Sequence, residues 1–194
     1  LRTRRQRRKA QTGGAKRVTL GITDDIRISA RPAEAEDRAV PGHWEGDLLM
    51  GGVGKGAVIT LVERSTRFVL LAPLPDTHEA IDLKEVLTPL IASLPDQIRK
   101  TLTWDRGKEM ALHAAIAIDA DIDIYFADPH SPWQRGSNEN TNGLLRQYFP
   151  KGTDLAPHGV ERLLEVATEL NDRPRKSLDW DTPAERLTAL LEAS

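Results

Sequence analysis

The 194-residue sequence contains no cysteine, which excludes a disulfide scaffold, a thiol nucleophile and a zinc site built on thiolates. No apolar run approaches the roughly 20 residues that a membrane-spanning helix needs, and no signal-peptide pattern opens the chain. Hydrophobic residues make up 39% of the sequence and charged residues 29%, an ordinary balance for a globular domain. These features favour a cytoplasmic protein that does not enter a membrane.

Acidic residues are missing from the first 17 positions, although the chain as a whole is slightly acidic. That stretch holds eight basic residues: Arg2, Arg4, Arg5, Arg7, Arg8, Lys9, Lys16 and Arg17. Taking these eight from the 27 basic residues leaves 19 against 29 acidic residues. Residues 1–40 also lack hydrophobic periodicity, so we interpret them as a basic N-terminal arm or linker and residues 41–194 as the folded core. The arm suits a polyanionic partner, and a solvated linker is the alternative.

Hydrophobic patterning predicts a definite order of elements in the core. Three strands (44–50, 57–62 and 68–71) are followed by a helix over 83–94, which Pro89 should kink or break. A strand (101–104), a helix over 108–118 with Ala111, Ala114, Ala115 and Ile118 on one face, and a strand (122–127) come next. Helices over 137–148 and 160–170 follow, and Thr182 to Glu185 forms a capping box. An antiparallel meander with two crossover units gives an α/β fold, a ribonuclease H-like five-stranded mixed sheet with flanking helices.

Three acidic residues occupy places that this fold would bring together. Asp47 lies in the first strand and Asp105 ends the fourth, which is its neighbour in the proposed sheet. Glu139 lies in the first turn of the helix after the last strand. Clustered carboxylates repel one another unless cations lie between them, and hard oxygen ligands suit Mg²⁺ or Mn²⁺. Two such ions can activate an attacking oxygen and stabilise a leaving one, so the pattern favours phosphodiester chemistry.

The residues around these acids resemble the motifs of the insertion sequence 30 family of transposases. Gly42 to Asp47 is similar to the family's first-aspartate motif, Thr101 to Glu109 to its second, and Tyr125 to Asn140 to its glutamate motif. The likeness runs in order over about residues 40 to 187. It implies that Asp47, Asp105 and Glu139 are the catalytic metal ligands. It also implies transposon inverted-repeat ends and target DNA as substrates, and a homo-oligomer as the working form. The family's N-terminal helix-turn-helix is absent from this sequence, so the resemblance does not assign end recognition to it.

Other residues compete for roles or support them. Glu45 would share a strand face with Asp47 and is the rival metal ligand. His43 and His130 would assist proton transfer, touch DNA or be structural. The candidates for contact with DNA are Arg106, Lys108, Arg135, Asn142, Arg146 and Lys151. A glycine-rich stretch at 51–56 has Ala57 where a phosphate loop needs lysine, so ATP is not implied.

The sequence therefore predicts the catalytic core of a DDE-type DNA transposase, named for its two aspartates and one glutamate. It would cut transposon ends and then join the freed 3′-hydroxyl to another DNA strand. Two Mg²⁺ ions would assist both steps, and Mn²⁺ would substitute for them. We expect it to work in the cytoplasm, associated with the nucleoid. The alternatives are a metal-dependent nuclease of the same fold and a catalytically silent DNA-binding regulatory fragment.

Overall fold

The computed structural model describes residues 21–74, 78–129 and 131–193. The basic stretch at 1–17 and His130 lie outside the described residues, so the predicted contacts with DNA and the predicted role of His130 stay predictions. None of the described helices is both long and apolar enough to cross a membrane.

A five-stranded mixed sheet forms the centre of the fold. Its strands are β1 (His43–Met50), β2 (Ala57–Glu63), β3 (Val69–Leu74), β4 (Thr101–Trp104) and β5 (Asp123–Phe126). The strands lie in the order β3-β2-β1-β4-β5, with β1, β2 and β3 antiparallel and β4 and β5 parallel to β1. The predicted meander with two crossovers, and with it the ribonuclease H-like α/β fold, is confirmed.

Helices cover both faces of the sheet. They are α1 (Glu34–Asp37), α2 (Ala80–Ala92), α3 (His113–Ala120), α4 (Gly136–Leu145), α5 (Val160–Asn171) and α6 (Pro183–Glu192). One apolar core joins the sheet to α2 and α3, through residues such as Trp44, Leu87 and Ile116. A second core joins the other face to α4 and α5, through Leu49, Leu145 and Leu163 among others. Alternate residues of β1 thus point to opposite cores, and the catalytic candidates lie on the α4 side.

Three helix predictions differ from the structure. The segment predicted as a helix over 108–118 splits into a 3₁₀ turn, Lys108–Leu112, and α3, because the backbone of the fully buried Met110 leaves helical geometry. The inward residues of α3 are Ile116 and Ala120, whereas Ile118 is 79% exposed, since small alanines give a weak signal for which face is buried. Pro89 does not break α2, which continues three residues past it to Ala92.

The end of the helix predicted over 137–148 also differs. The α4 helix ends at Leu145 rather than at position 148, and its final residues tighten into i→i+3 bonds from Gln147 to Leu144 and from Tyr148 to Leu145. Such tightening is common at helix C-termini.

Residues 21–40 are packed on the sheet, unlike the linker that the absence of periodicity predicted. Ala35 of α1 is fully buried, Ile28 is 8% exposed, and Arg27 forms a parallel bridge with Phe126 at the end of β5. Short 3₁₀ turns at Asp24–Ile26 and Ile28–Ala30 precede α1 and carry no helical period that a sequence reading could detect. The folded body therefore includes the second half of the segment predicted as arm.

Candidate active site

The sheet brings Asp47 and Asp105 together. The parallel pairing of β1 with β4 sets His43 opposite Thr101 and Glu45 opposite Thr103. Continuing this register by two residues places Asp47 opposite Asp105, which directly follows the last residue of β4. The two aspartates therefore lie side by side just beyond the end of the parallel pairing, on neighbouring strands as the sequence predicted.

Arg135 lies between the two aspartates and contacts both. Its Nη1 is 3.3 Å from Asp47 Oδ1, and its Nη2 is 3.4 Å from Asp105 Oδ2. Nη1 also donates to the carbonyl of Gly46 at 3.2 Å, and the Arg135 side chain is only 15% exposed. A single cationic group thus reaches both carboxylates. Positive charge therefore already lies between these two carboxylates in the protein itself.

The electrostatic environment of Asp47 also favours a cation. Burial raises the pKa of the Asp47 carboxyl above its ordinary value, and the neighbouring charge of Asp105 acts in the same direction. The Arg135 guanidinium opposes both effects and lowers this pKa. Positive charge at this point therefore stabilises the ionised aspartate.

Helix α4 crosses β1 in a matched register. The backbone N–H of Asn138 donates to Glu45 Oε2 at 2.9 Å, and Asn142 Nδ2 donates to Asp47 Oδ2 at 3.0 Å. One turn further on, Leu145 packs in the same core as Leu49. Successive turns of the helix thus meet every second residue of the strand, and this alignment fixes where α4 presents its side chains.

Glu139 lies in the first turn of α4 and is exposed. It precedes Asn142 by three residues and so shares the helix face that contacts Asp47. The structure does not gather Glu139 with the two aspartates. Among the described residues, no group of three histidine, cysteine, aspartate or glutamate side chains is close enough together to hold a metal ion.

The rival ligand, Glu45, is committed to other partners. Its side chain is fully buried, with Oε1 3.5 Å from Arg64 Nη1 and Oε2 bound by Asn138. The side chain of the fully buried Asn138 is also bonded on both sides, because its Nδ2 donates to the Glu45 carbonyl and its Oδ1 accepts from the Thr60 hydroxyl. Glu45 and Asn138 therefore join α4 to β1 and β2. Asn138 lies within the glutamate motif, but no sequence signal identifies it as the residue that anchors the helix.

Glu109 is a further acid beside the site that the sequence analysis did not single out. Its carboxylate lies against Gly107, where an added Cβ would come within 1.8 Å of Oε1, and Trp104 Nε1 donates to it at 3.4 Å. Burial raises the pKa of Glu109, and the charges of Asp105 and Asp47 add to this effect. Its position in the motif after Asp105 was the only available signal.

The candidates for DNA contact fall into two groups. Lys108 and Lys151 are exposed. The other four bind the protein itself: Arg135 and Asn142 as described above, Arg106 through the Ala127 carbonyl at 3.0 Å, and Arg146 through the Met50 carbonyl at 3.0 Å.

An open cavity of about 390 Å³ borders Asp105 and Arg135 and offers room for a substrate group. It is lined by Asp105, Arg106, Ala127, Asp128, Ser131 and Arg135, among others. His43 does not belong to it. That side chain is buried between Thr101 Oγ1, at 2.8 Å from its Nδ1, and Glu34, at 3.3 Å from its Nε2, which is a structural position.

The chain is similar in sequence to an integrase family and to several transposases. Residues 37–132 match the integrase core domain family. The chain is 51% identical over 170 residues to the transposase for insertion sequence element IS1086 of Cupriavidus metallidurans, covering 88% of this chain and 50% of that protein. It is 43% identical over 182 residues to the transposase InsI for insertion sequence element IS30A of Escherichia coli, covering 94% and 46%. With the transposase for insertion sequence element IS4351 of Bacteroides fragilis it shares 36% identity over 189 residues, 97% of this chain and 57% of that protein. The chain thus spans about half the length of these curated relatives.

Proposed function

Because the chain belongs to the insertion sequence 30 family of transposases, as the integrase-type catalytic core, we propose that it cuts DNA at transposon ends and joins the freed 3′-hydroxyl to target DNA. The observation that carries this proposal is the convergence of Asp47 and Asp105 on one cationic group. A domain that only binds DNA has no need of paired carboxylates, since they repel phosphate.

Asp47, Asp105 and Glu139 would hold the divalent cations, Mg²⁺ with Mn²⁺ as a substitute, in a two-ion site. The supporting features are the two aspartates already within reach of one cation and the place of Glu139 on the α4 face that contacts Asp47. Two divalent ions supply activation of the attacking oxygen and stabilisation of the leaving oxygen. The same carboxylates serve cleavage by water and attack by the 3′-hydroxyl, so no covalent protein intermediate is needed.

The remaining residues would position the DNA. Lys108 and Lys151 are free to contact backbone phosphates, and Arg106, Arg146 and Asn142 flank the path past the carboxylates. Arg135 would exchange its carboxylate partners for a phosphate when cations occupy the site, since both ligands are anionic oxygens. The substrates are transposon inverted-repeat ends and target DNA, the working form is a homo-oligomer, and the setting is the nucleoid in the cytoplasm.

A strand-joining assay tests the proposal. The substrate is a labelled, branched DNA with a preplaced 3′-hydroxyl end, which reduces dependence on separate end recognition. We expect cleaved and joined products in Mg²⁺ or Mn²⁺ and none with a chelator present. Replacing the third ligand, Glu139→Gln, should abolish both products.

Glu161→Gln, the same substitution at an exposed acid in the first turn of α5, is the matched control and should leave joining unchanged. Cleavage without joined product would instead indicate a nuclease. DNA binding with neither product, in every metal tried, would favour a silent DNA-binding fragment. Unchanged joining by Glu139→Gln would remove that residue from the ligand set.

A further inference from the structure

Three arginines converge on a second cavity, away from the carboxylates. Arg38 follows α1, Arg67 lies in the turn between β2 and β3, and Arg175 lies in the turn after α5. We call this cavity of about 440 Å³ the arginine pocket; its wall is completed by Gly136, Ser137, Asn140, Thr141 and Ser177. Segments distant in sequence have thus been folded so as to bring three like charges to one place.

The three arginines have no direct ion-pair partner among the described residues. Within the described part of the chain, no carboxylate lies within ion-pair distance of Arg38, Arg67 or Arg175. The Arg67 guanidinium donates to the Ser137 hydroxyl, and Arg175 Nη2 donates to the Leu170 carbonyl at 3.1 Å. Arg175 Nε is buried and has no hydrogen-bond partner. Donor capacity therefore remains in the pocket for an anionic ligand.

The arginines are also partly withdrawn from water. Burial lowers the pKa of Arg67, and the charges of Arg38 and Arg175 lower it further, while the carboxylates of Glu45 and Glu63 partly oppose this. Burial likewise lowers the pKa of Arg175. Like charges held close together in a partly desolvated pocket are unfavourable on their own, and an anion relieves both costs.

The first turn of α4 adds to the same field. Gly136 and Ser137 begin this ten-residue helix, and its positive end faces the pocket that they line. Phosphate groups bind well where guanidinium forks meet such a helix end, because both present N–H donors to the oxygens. A carboxylate ligand would also offer two oxygens. The phosphodiester groups of DNA, however, repeat along a backbone, so that one group can occupy the pocket while another reaches Asp47 and Asp105.

The position of the pocket relative to the active site favours DNA. Ser137 and Thr141 lie on the pocket side of α4, whereas Asn138 and Asn142 face β1. The exposed residues Glu139 and Asn140 are consecutive, and Asn140 lines the pocket. A strand crossing the outer edge of α4 would therefore have one phosphate at the carboxylates and another at the pocket.

We infer that the arginine pocket binds one backbone phosphodiester of the DNA strand that crosses α4. This inference rests on the proposed function and adds a site to it. The contact would hold the strand on the far side of α4 from the aspartates and so fix which phosphate reaches them.

The test measures DNA affinity against salt concentration by fluorescence anisotropy, with a chelator present so that no strand is cut. The test variant is Arg38→Gln/Arg175→Gln, and the matched control is Arg173→Gln/Lys176→Gln. The control removes the same charge from exposed residues of the same turn that do not line the pocket. Arg67 is kept because its bond to Ser137 supports the hairpin turn.

Loss of one phosphate contact should reduce the slope of log Kd against log salt by about 0.9 in the test variant. The control slope should change much less. A scan of neutral methylphosphonate linkages provides a second readout: one position should weaken binding by the wild type and have little further effect on the test variant.

Equal slopes for the test variant and the wild type would overturn the inference, as would equal losses in test and control variants. A changed oligomeric state with an unchanged slope would instead mark the pocket as a contact with an acidic protein surface, and would also overturn it. These outcomes concern binding alone, so they leave metal-dependent joining by the wild type intact. A wild type that binds no DNA would sink both the inference and the proposed function.

Discussion

At the scale of single residues, Arg135 shows how this site tolerates its own charge. Two carboxylates in contact would repel, and Asp47 is buried enough that its pKa is raised. The guanidinium of Arg135 offsets this repulsion by contacting both carboxylates at once. Its place in the glutamate motif suggested DNA contact, whereas the structure shows an arginine that balances charge within the protein. The two roles are compatible if cations and DNA arrive together.

A glycine beside Asp47 sets a steric condition on the same strand. An added Cβ at Gly46 would lie 2.2 Å from the ring of Trp104, which is fully buried. The change Gly46→Ala should therefore destabilise the protein by about 1–3 kcal/mol through overpacking. Chemical denaturation measures this directly.

Gly143→Ala serves as the control for that substitution. An added Cβ there has no neighbouring atom within 4 Å, apart from its own helix backbone and adjacent residues. Alanine in a helix is favoured over glycine by about 0.5–1 kcal/mol, so stability should rise slightly. A Gly46→Ala protein as stable as the wild type would show that Trp104 moves aside at little cost.

At the scale of elements, the contact between α4 and β1 determines the site. The strand supplies Asp47 and Glu45, and the helix supplies Asn142 and Asn138 to bond them. Glu139 lies between those two asparagines in sequence, so the anchors on either side of it limit where its carboxylate can reach. The helix would consequently serve the proposed site by holding Glu139, the proposed third ligand, in place.

Removing the anchor should separate folding from function. In Asn138→Ala the buried carbonyl of Glu45 loses its amide donor, and the Thr60 hydroxyl loses one of its two acceptors and keeps only the Asp47 carbonyl, at 3.2 Å. Unpaired buried polar groups cost about 1–3 kcal/mol each, so the free energy of unfolding should fall by at least that much. Joining activity, measured at a temperature where the variant is still folded, should fall sharply because Glu139 is no longer held in place.

Asn140→Ala, two residues further along α4, provides the comparison. Because Asn140 is exposed, this substitution should change the free energy of unfolding by no more than about 0.5 kcal/mol. If Asn138→Ala kept full joining activity while folded, the anchoring role assigned to Asn138 would be wrong.

At the scale of the whole molecule, the sheet was predictable because its signals are local. The strands β2 and β3 are apolar runs, and the order of strands and helices leaves few topologies once crossovers are taken as right-handed. The proximity of Asp47 and Asp105 followed from that order. The packing of residues 21–40 was not predictable, because short turns such as Ile28–Ala30 show no periodicity and are held by tertiary contacts.

Side-chain partnerships were the other part that the sequence could not supply. Nothing in the motif containing Arg135 distinguishes a bond to two aspartates from a bond to DNA, and the arginine pocket joins three segments far apart in the chain. Such contacts depend on the final packing of loops, whereas hydrophobic patterning reports only which faces are buried. The structure does not bring Glu139 together with the two aspartates, and its role as the third metal ligand stays a prediction.

The proposed function requires that Asp47 and Asp105 bind a divalent cation, for which Arg135 competes. We would titrate Mn²⁺ into the metal-free protein and measure free Mn²⁺ by electron paramagnetic resonance. There are two controls. Glu45→Gln changes a carboxylate that contacts Arg64 and Asn138 instead of the site. Arg106→Gln changes an arginine that lines the cavity beside Asp105 but does not contact Asp47.

Asp47→Asn should weaken Mn²⁺ binding by about tenfold or more, since it removes a ligand. Arg135→Gln should strengthen binding severalfold, because the cation no longer has to displace the guanidinium, and both controls should bind Mn²⁺ as the wild type does. Unchanged binding by Asp47→Asn, or weaker binding by Arg135→Gln, would contradict the account.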